Sequence, residues 1–475
     1  MVFSSPVFLF FFLPLTLVFY GLASLTGRIA VKNAVLLVMS IVFYGYGGLN
    51  YLGLLAVSVV VNWAIGLAVD AWKPKKAAFV VFLLGIVWNT GILVVLKYLN
   101  LLGDTAAWIA GMISGTEMTS PIPEIVLPIG ISFFTFQIMS YLIDVYRGKT
   151  KVQRNIADLA LYIMLFPQLI AGPIVRYTDV EGAIRKRGSS LDDVYEGAFR
   201  FMVGFFKKVL LANEVGKAAD LAFALKPGMG MIYAWIGIVC YSLQIYLDFW
   251  AYSDMAIGLG RMFGFRFPEN FNDPYCARSI SEFWRRWHMT LSGWFRDYVY
   301  IPLGGSRCSI GKNCRNYLIV FALTGIWHGA SWNFLFWGLY FACFLIAERL
   351  GLLRLIERLP GLLRRLYVIL VVGVGWVFFR ADNLTKAIGY LQEMVCRNPM
   401  GSLDRELAEY VTGPKFILLF VVSLLFCTPF FRKAYEKLQR LGAAAVCDAV
   451  AVVLFFLAAC EMMAGTYNPF IYFRF

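Results

Sequence analysis

Two histidines occur among 475 residues, His288 and His328. His328 sits inside a long apolar run, NYLIVFALTGIWHGASWNFLFWGLYFACFLIAE. An imidazole in such a run is commonly a satisfied core side chain, and its neighbours argue for more. Gly325 and Gly329 flank Trp327 and His328, and Ser331, Trp332 and Asn333 follow. Small residues loosen the backbone, while indole, hydroxyl and amide groups supply hydrogen-bond partners that a lipid-facing helix has no use for. The stretch reads as a cavity lining with Trp327 and Asn333 beside the ring. A neutral imidazole there has the pKa of a general base, which makes His328 the first catalytic candidate. Two carboxylates, Asp248 and Asp254, fall within another apolar stretch. An acid in such a place is a functional candidate by default: it orients or polarises a histidine, or it caps a helix or pairs with an arginine. Arg285, Arg286 and Arg296 surround His288 and suit phosphate binding, because guanidinium is planar and bidentate. Anchoring at a membrane surface accounts for the same three arginines.

These residues need apolar elements to hold them. The chain is 60% hydrophobic, 17% aromatic and 15% charged, far from a soluble mixture and rich in stretches near the spanning length of about 20 residues. A polytopic, all-α membrane protein follows, with the lipid bilayer as its first partner. In the absence of a polar linker or an internal repeat, residues 1–475 are expected to form one integrated transmembrane domain. The net charge of +14 points to basic cytoplasmic loops rather than to nucleic acid. The nine cysteines include no CxxC pair and no histidine-bearing metal spacing, so structural thiols are expected and no metal site.

The positive-inside rule orders the spans. The start has no basic segment before its apolar run and is expected to stay as a first span with its beginning outside, Arg28 and Lys32 lying inside. Residues 33–48 and 50–70 then form a tight pair returning to Lys73, Lys75 and Lys76, and residues 77–101 cross outward to an external loop at 102–123. Residues 124–145 cross back to a basic segment. The 157–175 segment has basic loops on both sides and prolines at 167 and 173, which predicts a re-entrant, broken helix buried in protein. Residues 197–214 cross outward despite Lys207 and Lys208, and 231–260 return carrying both aspartates. The 261–315 segment holds nine Lys or Arg against four Asp or Glu and suits amphipathic helices on the cytoplasmic surface. Residues 316–346 would run about 46 Å as one straight helix, against about 30 Å of hydrocarbon. A break or reversal near Gly325 to Ser331 is therefore predicted, with His328 deep in the bundle. Spans at 366–381, 415–431 and 444–464 leave the final residues outside.

Five stretches carry a family resemblance: LPIGISFFTFQIMSYLIDVYRG (127–148), FPQLIAGPIVRY (166–177), YSLQIYLDFWAYSDMAIGLGRMFGFRFPENFNDPY (241–275), EFWRRWHMTLSGWFRDYVYIPLGG (282–305) and LTGIWHGASWNFLFWG (323–338). Together they resemble the membrane-bound O-acyltransferase (MBOAT) family, in its bacterial branch. The opening MVFSSPVFLFFFLP, the WVFFRADN at 376–383 and the terminal FIYFRF resemble the alginate-acetylating type. The resemblance covers nearly the whole chain. One small departure is Trp250, where a small residue is expected.

The resemblance implies a ring of tilted helices with re-entrant segments around a central tunnel, in which funnels from the two sides meet at His328. It implies His288 as the second histidine of the site. It also implies an enzyme of the bacterial inner membrane that takes acetyl from a cytoplasmic donor, acetyl-CoA, with no tightly bound cofactor, and passes it to an extracytoplasmic polysaccharide through a partner protein there. The arginines, the aspartates, Trp327 and Asn333 would then serve substrate binding. Tyr472, in the terminal FIYFRF, is either an interfacial anchor or, as the resemblance suggests, an acyl relay: a phenyl ester is activated and divides the transfer into two steps. Two other functions stay open, D-alanyl transfer to teichoic acid from a carrier protein and a transporter or flippase. The scarcity of acid–base relays and the lack of an inverted repeat weigh against transport.

Overall fold

The computed structural model describes residues 1–125, 127–224, 228–396, 398, 405–465 and 467–471. Helices joined by short turns make up the architecture, and no β-strand forms among the described residues. Six helices are long and apolar enough to cross a membrane: Phe8–Leu25, Leu49–Ala71, Lys76–Ser114, Met231–Met262, Gly361–Arg380 and Ala444–Ala464. Arg405–Thr412 and Pro414–Phe426 form a bent pair at 68° that adds a seventh if taken as one broken span. The protein is therefore a multi-pass, all-α membrane protein. All nine cysteines are free thiols.

Contacts divide the chain into two compact units, residues 1–194 with 259–268 and residues 195–258 with 269–475. In the first, Phe3, Phe8, Phe12, Phe43 and Phe166 form a buried aromatic cluster. The expected re-entrant stretch is here a short helix at Ile156–Met164, a single turn at Phe166–Leu169 and buried extended chain after it. Pro167 lies in the first turn of that short piece, where its missing N–H costs nothing. The expected external loop at 102–123 differs: the fourth span runs on as helix to Ser114. LLGDTAAWIAGMIS is rich in helix formers and continues the helix, a conformation that loop charge does not report.

In the second unit, all but the first turn of Leu191–Phe206, a π-helical turn at Lys207–Ala212 and Asn213–Ala224 succeed one another. The predicted reversal falls at Gly329 to Ser331, between helices Ile310–His328 and Trp332–Ala347. Gly325 faces the carbonyl of Phe334, and Gly338 faces that of Phe321. These pairings fit an antiparallel hairpin, and they bring backbone against backbone because neither glycine carries a Cβ.

Candidate active site

His328 is the last residue of its helix, and the chain turns at once into the next, whose first turn is capped by the Ser331 hydroxyl accepting from the Asn333 N–H. The Asn333 side chain donates to the Ala381 carbonyl at 2.7 Å and ties the hairpin tip to the end of the Gly361–Arg380 helix. Its place is to anchor the tip. The His328 ring is walled edge-on by Trp327, Trp337 and Phe379, with centroids 5.0, 5.1 and 5.1 Å away. Buried to 8% exposure, the imidazole has its orientation set by packing.

His288 is fixed differently. It caps Met289–Phe295 from the left-handed backbone region, at φ 42°, an uncommon conformation for a residue with a side chain. Its Nδ1 lies 2.9 Å from Asn270 Oδ1, which also accepts from the Thr290 hydroxyl at 2.9 Å. The Asn270 amide nitrogen donates to Ser253 Oγ at 3.1 Å. With an acceptor facing Nδ1, the proton belongs on Nδ1 and the Nε2 lone pair is open. That Nε2 is buried and has no hydrogen-bond partner among the described residues. Burial, with His328 as a neighbouring cation-former, holds the imidazole pKa well below the ordinary histidine value, so it stays neutral.

Both histidines line one cavity of about 400 Å³, together with Arg285, Arg296, Trp284, Ser292 and Tyr300. Trp327 stands between the rings, 5.0 Å from His328 and 6.1 Å from His288. Arg285 makes no ion pair among the described residues, while Arg296 reaches Asp297 at 2.7 Å from an exposed position. Arg286 is turned away to Glu282 at 2.7 Å and is absent from the lining. The residues after His328, Gly329 to Ser331, line a second cleft of about 1420 Å³, with Asp220, Tyr241, Arg380, Asp382 and Lys386. A void of about 10 Å³ lies between His328, Trp337, Trp376, Phe379 and Ile471. The 400 Å³ cavity is basic and aromatic, and the 1420 Å³ cleft is mixed in charge.

Asp248 and Asp254 face lysines. Asp254 is paired with Lys207, and with Arg200 at 2.7 Å; Asp248 pairs with Lys208 at 2.9 Å. Trp250, the departure noted above, lies under the Lys207 ammonium at 3.3 Å from the ring centroid, where a large indole face stabilises a desolvated cation. Tyr472 lies outside the described residues.

Several site-building residues escape a sequence reading. Glu348 accepts from the backbone N–H groups of Ile280 and Ser281 at 2.6 and 2.9 Å and from the Ser281 hydroxyl at 2.6 Å. It holds the start of the Ile280–Arg286 helix that carries Trp284 and Arg285, a carboxylate at a helix N-terminus being favoured by the free N–H groups there. The available signal was an acid closing an otherwise apolar hairpin. For Lys207 and Lys208 it was two cations in an apolar run. Asn270 offered no signal.

Two histidines beside a basic aromatic cavity, one of them at the tip of a helical hairpin, make a candidate acyl-transfer site in a membrane-embedded protein, and the chain belongs to the membrane-bound O-acyltransferase family, whose profile matches residues 150–379. Over its whole length it is 38% identical to the whole of the probable alginate O-acetylase AlgI of Azotobacter vinelandii. It is also 32% identical to the peptidoglycan O-acetyltransferase of Helicobacter pylori, across 91% of this chain and 87% of the relative. The similarity to the teichoic acid D-alanyltransferase of Bacillus subtilis is 30% identity over 45% of this chain and 57% of the relative. The protein is an O-acyltransferase.

Proposed function

We propose that the protein transfers acetyl groups from acetyl-CoA on the cytoplasmic side of the bacterial inner membrane to an extracytoplasmic polysaccharide, of the alginate kind or another cell-surface polymer. The observation that carries this reading is the position of His328, which lines the basic cavity while the next three residues line the cleft beyond it. Charge counting along the chain assigns the basic cavity to the cytoplasm, where Arg285 and Arg296 suit the donor's phosphates. The two openings are read as the ends of one tunnel within a single domain. The imidazole removes the proton of the attacking hydroxyl as its oxygen adds to the thioester carbonyl. The thiolate then leaves and takes the proton back from the imidazolium, so the base is regenerated. His288, neutral with an open Nε2, is placed to hold a hydroxyl or thiol proton in the same cavity. Tyr472 is proposed as the hydroxyl that first receives the acetyl group and hands it to an extracytoplasmic partner protein, the phenyl ester being the more activated.

Acetyl is favoured over D-alanyl because the acetyl-transferring relatives match along nearly the whole chain and the D-alanyl relative along less than half. Mass spectrometry of surface polymers from cells with and without the protein tests the reading. Loss of O-acetyl esters is expected; loss of D-alanyl esters with acetyl unchanged would overturn it. The Tyr472→Phe variant tests the relay, since it keeps the aromatic ring and removes the hydroxyl, and full activity would reduce the tail to an anchor.

A further inference from the structure

The last described residues of the chain are held by charges. Lys208, its side chain 3% exposed on the π-helical turn, pairs with Asp248 Oδ1 at 2.9 Å, donates to Asn213 Oδ1 at 2.9 Å and donates to the Pro469 carbonyl. The other Asp248 oxygen accepts the Ile471 N–H at 2.9 Å. One buried ion pair therefore binds a carbonyl with its cation and an N–H two residues later with its anion. Around it, Asn213 donates to the Tyr467 carbonyl at 3.3 Å and the Tyr467 hydroxyl donates to Asp220 at 2.7 Å. Phe470 lies on Tyr252 at 4.7 Å between centroids. Ile471, 3% exposed, borders the void shared with His328.

Burying two charges costs several kcal/mol per ion, and a buried pair is often no more stabilising than apolar residues of equal volume. Stability alone thus gives a weak reason for Lys208 and Asp248 to be here. Register gives a better one, because an acceptor and a donor bound by opposite charges fix both the direction of the segment and which residue faces the void.

We propose that Lys208 and Asp248 form a docking clamp that holds the C-terminal segment against the His328 site, making that segment a working part of it. They are positioning residues, and the proposal rests on His328 being the reacting base. The test is the double variant Lys208→Met/Asp248→Leu in the full chain, which removes both charges at similar volume and so spares the fold. Detergent-solubilised protein is exposed to chymotrypsin, with intact mass reporting cleavage after Tyr467 or Phe470. Acetyl transfer is measured in parallel. The expected result is cleavage at least tenfold faster together with transfer at least tenfold slower. Undiminished protection of the segment overturns the clamp, and a released segment with normal transfer overturns its part in the reaction. If the double variant fails to purify as a single species, Ile471→Pro removes the N–H that Asp248 accepts while leaving both charges in place, and cleavage after Tyr467 is read under the same criteria. The protease arm uses no substrate, so an inactive parent protein would refute the proposed function while leaving the clamp to be judged separately.

Discussion

Buried side chains in the two units answer to different needs. In residues 1–194, Phe43 is fully buried against Phe3, Phe8, Phe12 and Phe166, at centroid distances of 5.5 to 6.0 Å. A buried polar pair in the same unit, Asn62 and Asn89, exchanges hydrogen bonds at 2.6 and 3.1 Å, and each amide also donates to a helix carbonyl, of Ser58 and Gly85. In residues 195–258 and 269–475 the buried groups include Lys207, Lys208, Asp248, Asp254, Glu348 and both histidines. Apolar filling is the low-cost way to complete a core, and each buried charge works against it. Buried charge occurs in the first unit too, at Lys97 and Asp144; the difference is that both histidines, the proposed acid–base groups, lie in the second, among lysines paired with buried aspartates.

Substitutions at four positions sharpen or break that contrast. Phe43→Ala removes a fully buried ring from the aromatic cluster and is expected to cost about 3–5 kcal/mol of stability, measured by thermal unfolding in detergent, with turnover per folded molecule unchanged. A fall in turnover greater than the fall in folded protein would show that the first unit shares in the chemistry. His328→Ala should do the reverse. It is expected to slow acyl transfer by roughly 100-fold or more while expression and membrane insertion persist, and near-normal polymer acetylation in cells would remove His328 from its role.

Asn270→Ala strips the acceptor from His288 Nδ1 and Thr290, leaving buried donors unsatisfied at a cost of about 1–3 kcal/mol. Both thermal stability and turnover should fall, and Asn270→Asp, which keeps the acceptor, should recover more of the turnover than of the stability. Arg285→Ala is the mildest change, because an exposed charge is worth about 1 kcal/mol or less. The Michaelis constant for the donor should rise a few-fold and approach the parent value as salt is increased; a change confined to the maximal rate would place Arg285 elsewhere in the reaction.

Much of this site was legible before the fold was. The hairpin reversal followed from arithmetic, a run too long for one crossing, and it occurs within the predicted window at Gly329 to Ser331. His328 stood out because imidazole is scarce here and its neighbours are polar. Pairings across the sequence were not legible. Lys208 and Asp248 are forty residues apart and no local pattern joins them, so the sequence left each aspartate open to a histidine or an arginine; Asp254 does meet an arginine, Arg200, beside Lys207, and Asp248 meets Lys208. Arg285 and Arg286 are neighbours with the same chemistry, yet one faces the cavity and the other Glu282, a distinction set by helix phase and invisible in composition. Segment 102–123 shows the limit of charge counting, which carries no information on conformation: helix continues to Ser114 where a loop was expected.

The hairpin that carries His328 leaves little room for sequence drift. A methyl group at Gly325 or Gly338 would collide with the carbonyl oxygen of Phe334 or Phe321, and relief would come only by prising the two helices apart. Such a shift displaces the His328 ring, the proposed base, at the tip, and a misplacement of about 1 Å is enough to cost a reaction roughly 100-fold. Two positions that touch no substrate therefore admit a one-letter alphabet, and a survey of tolerated substitutions would mark them as strictly as the histidine itself.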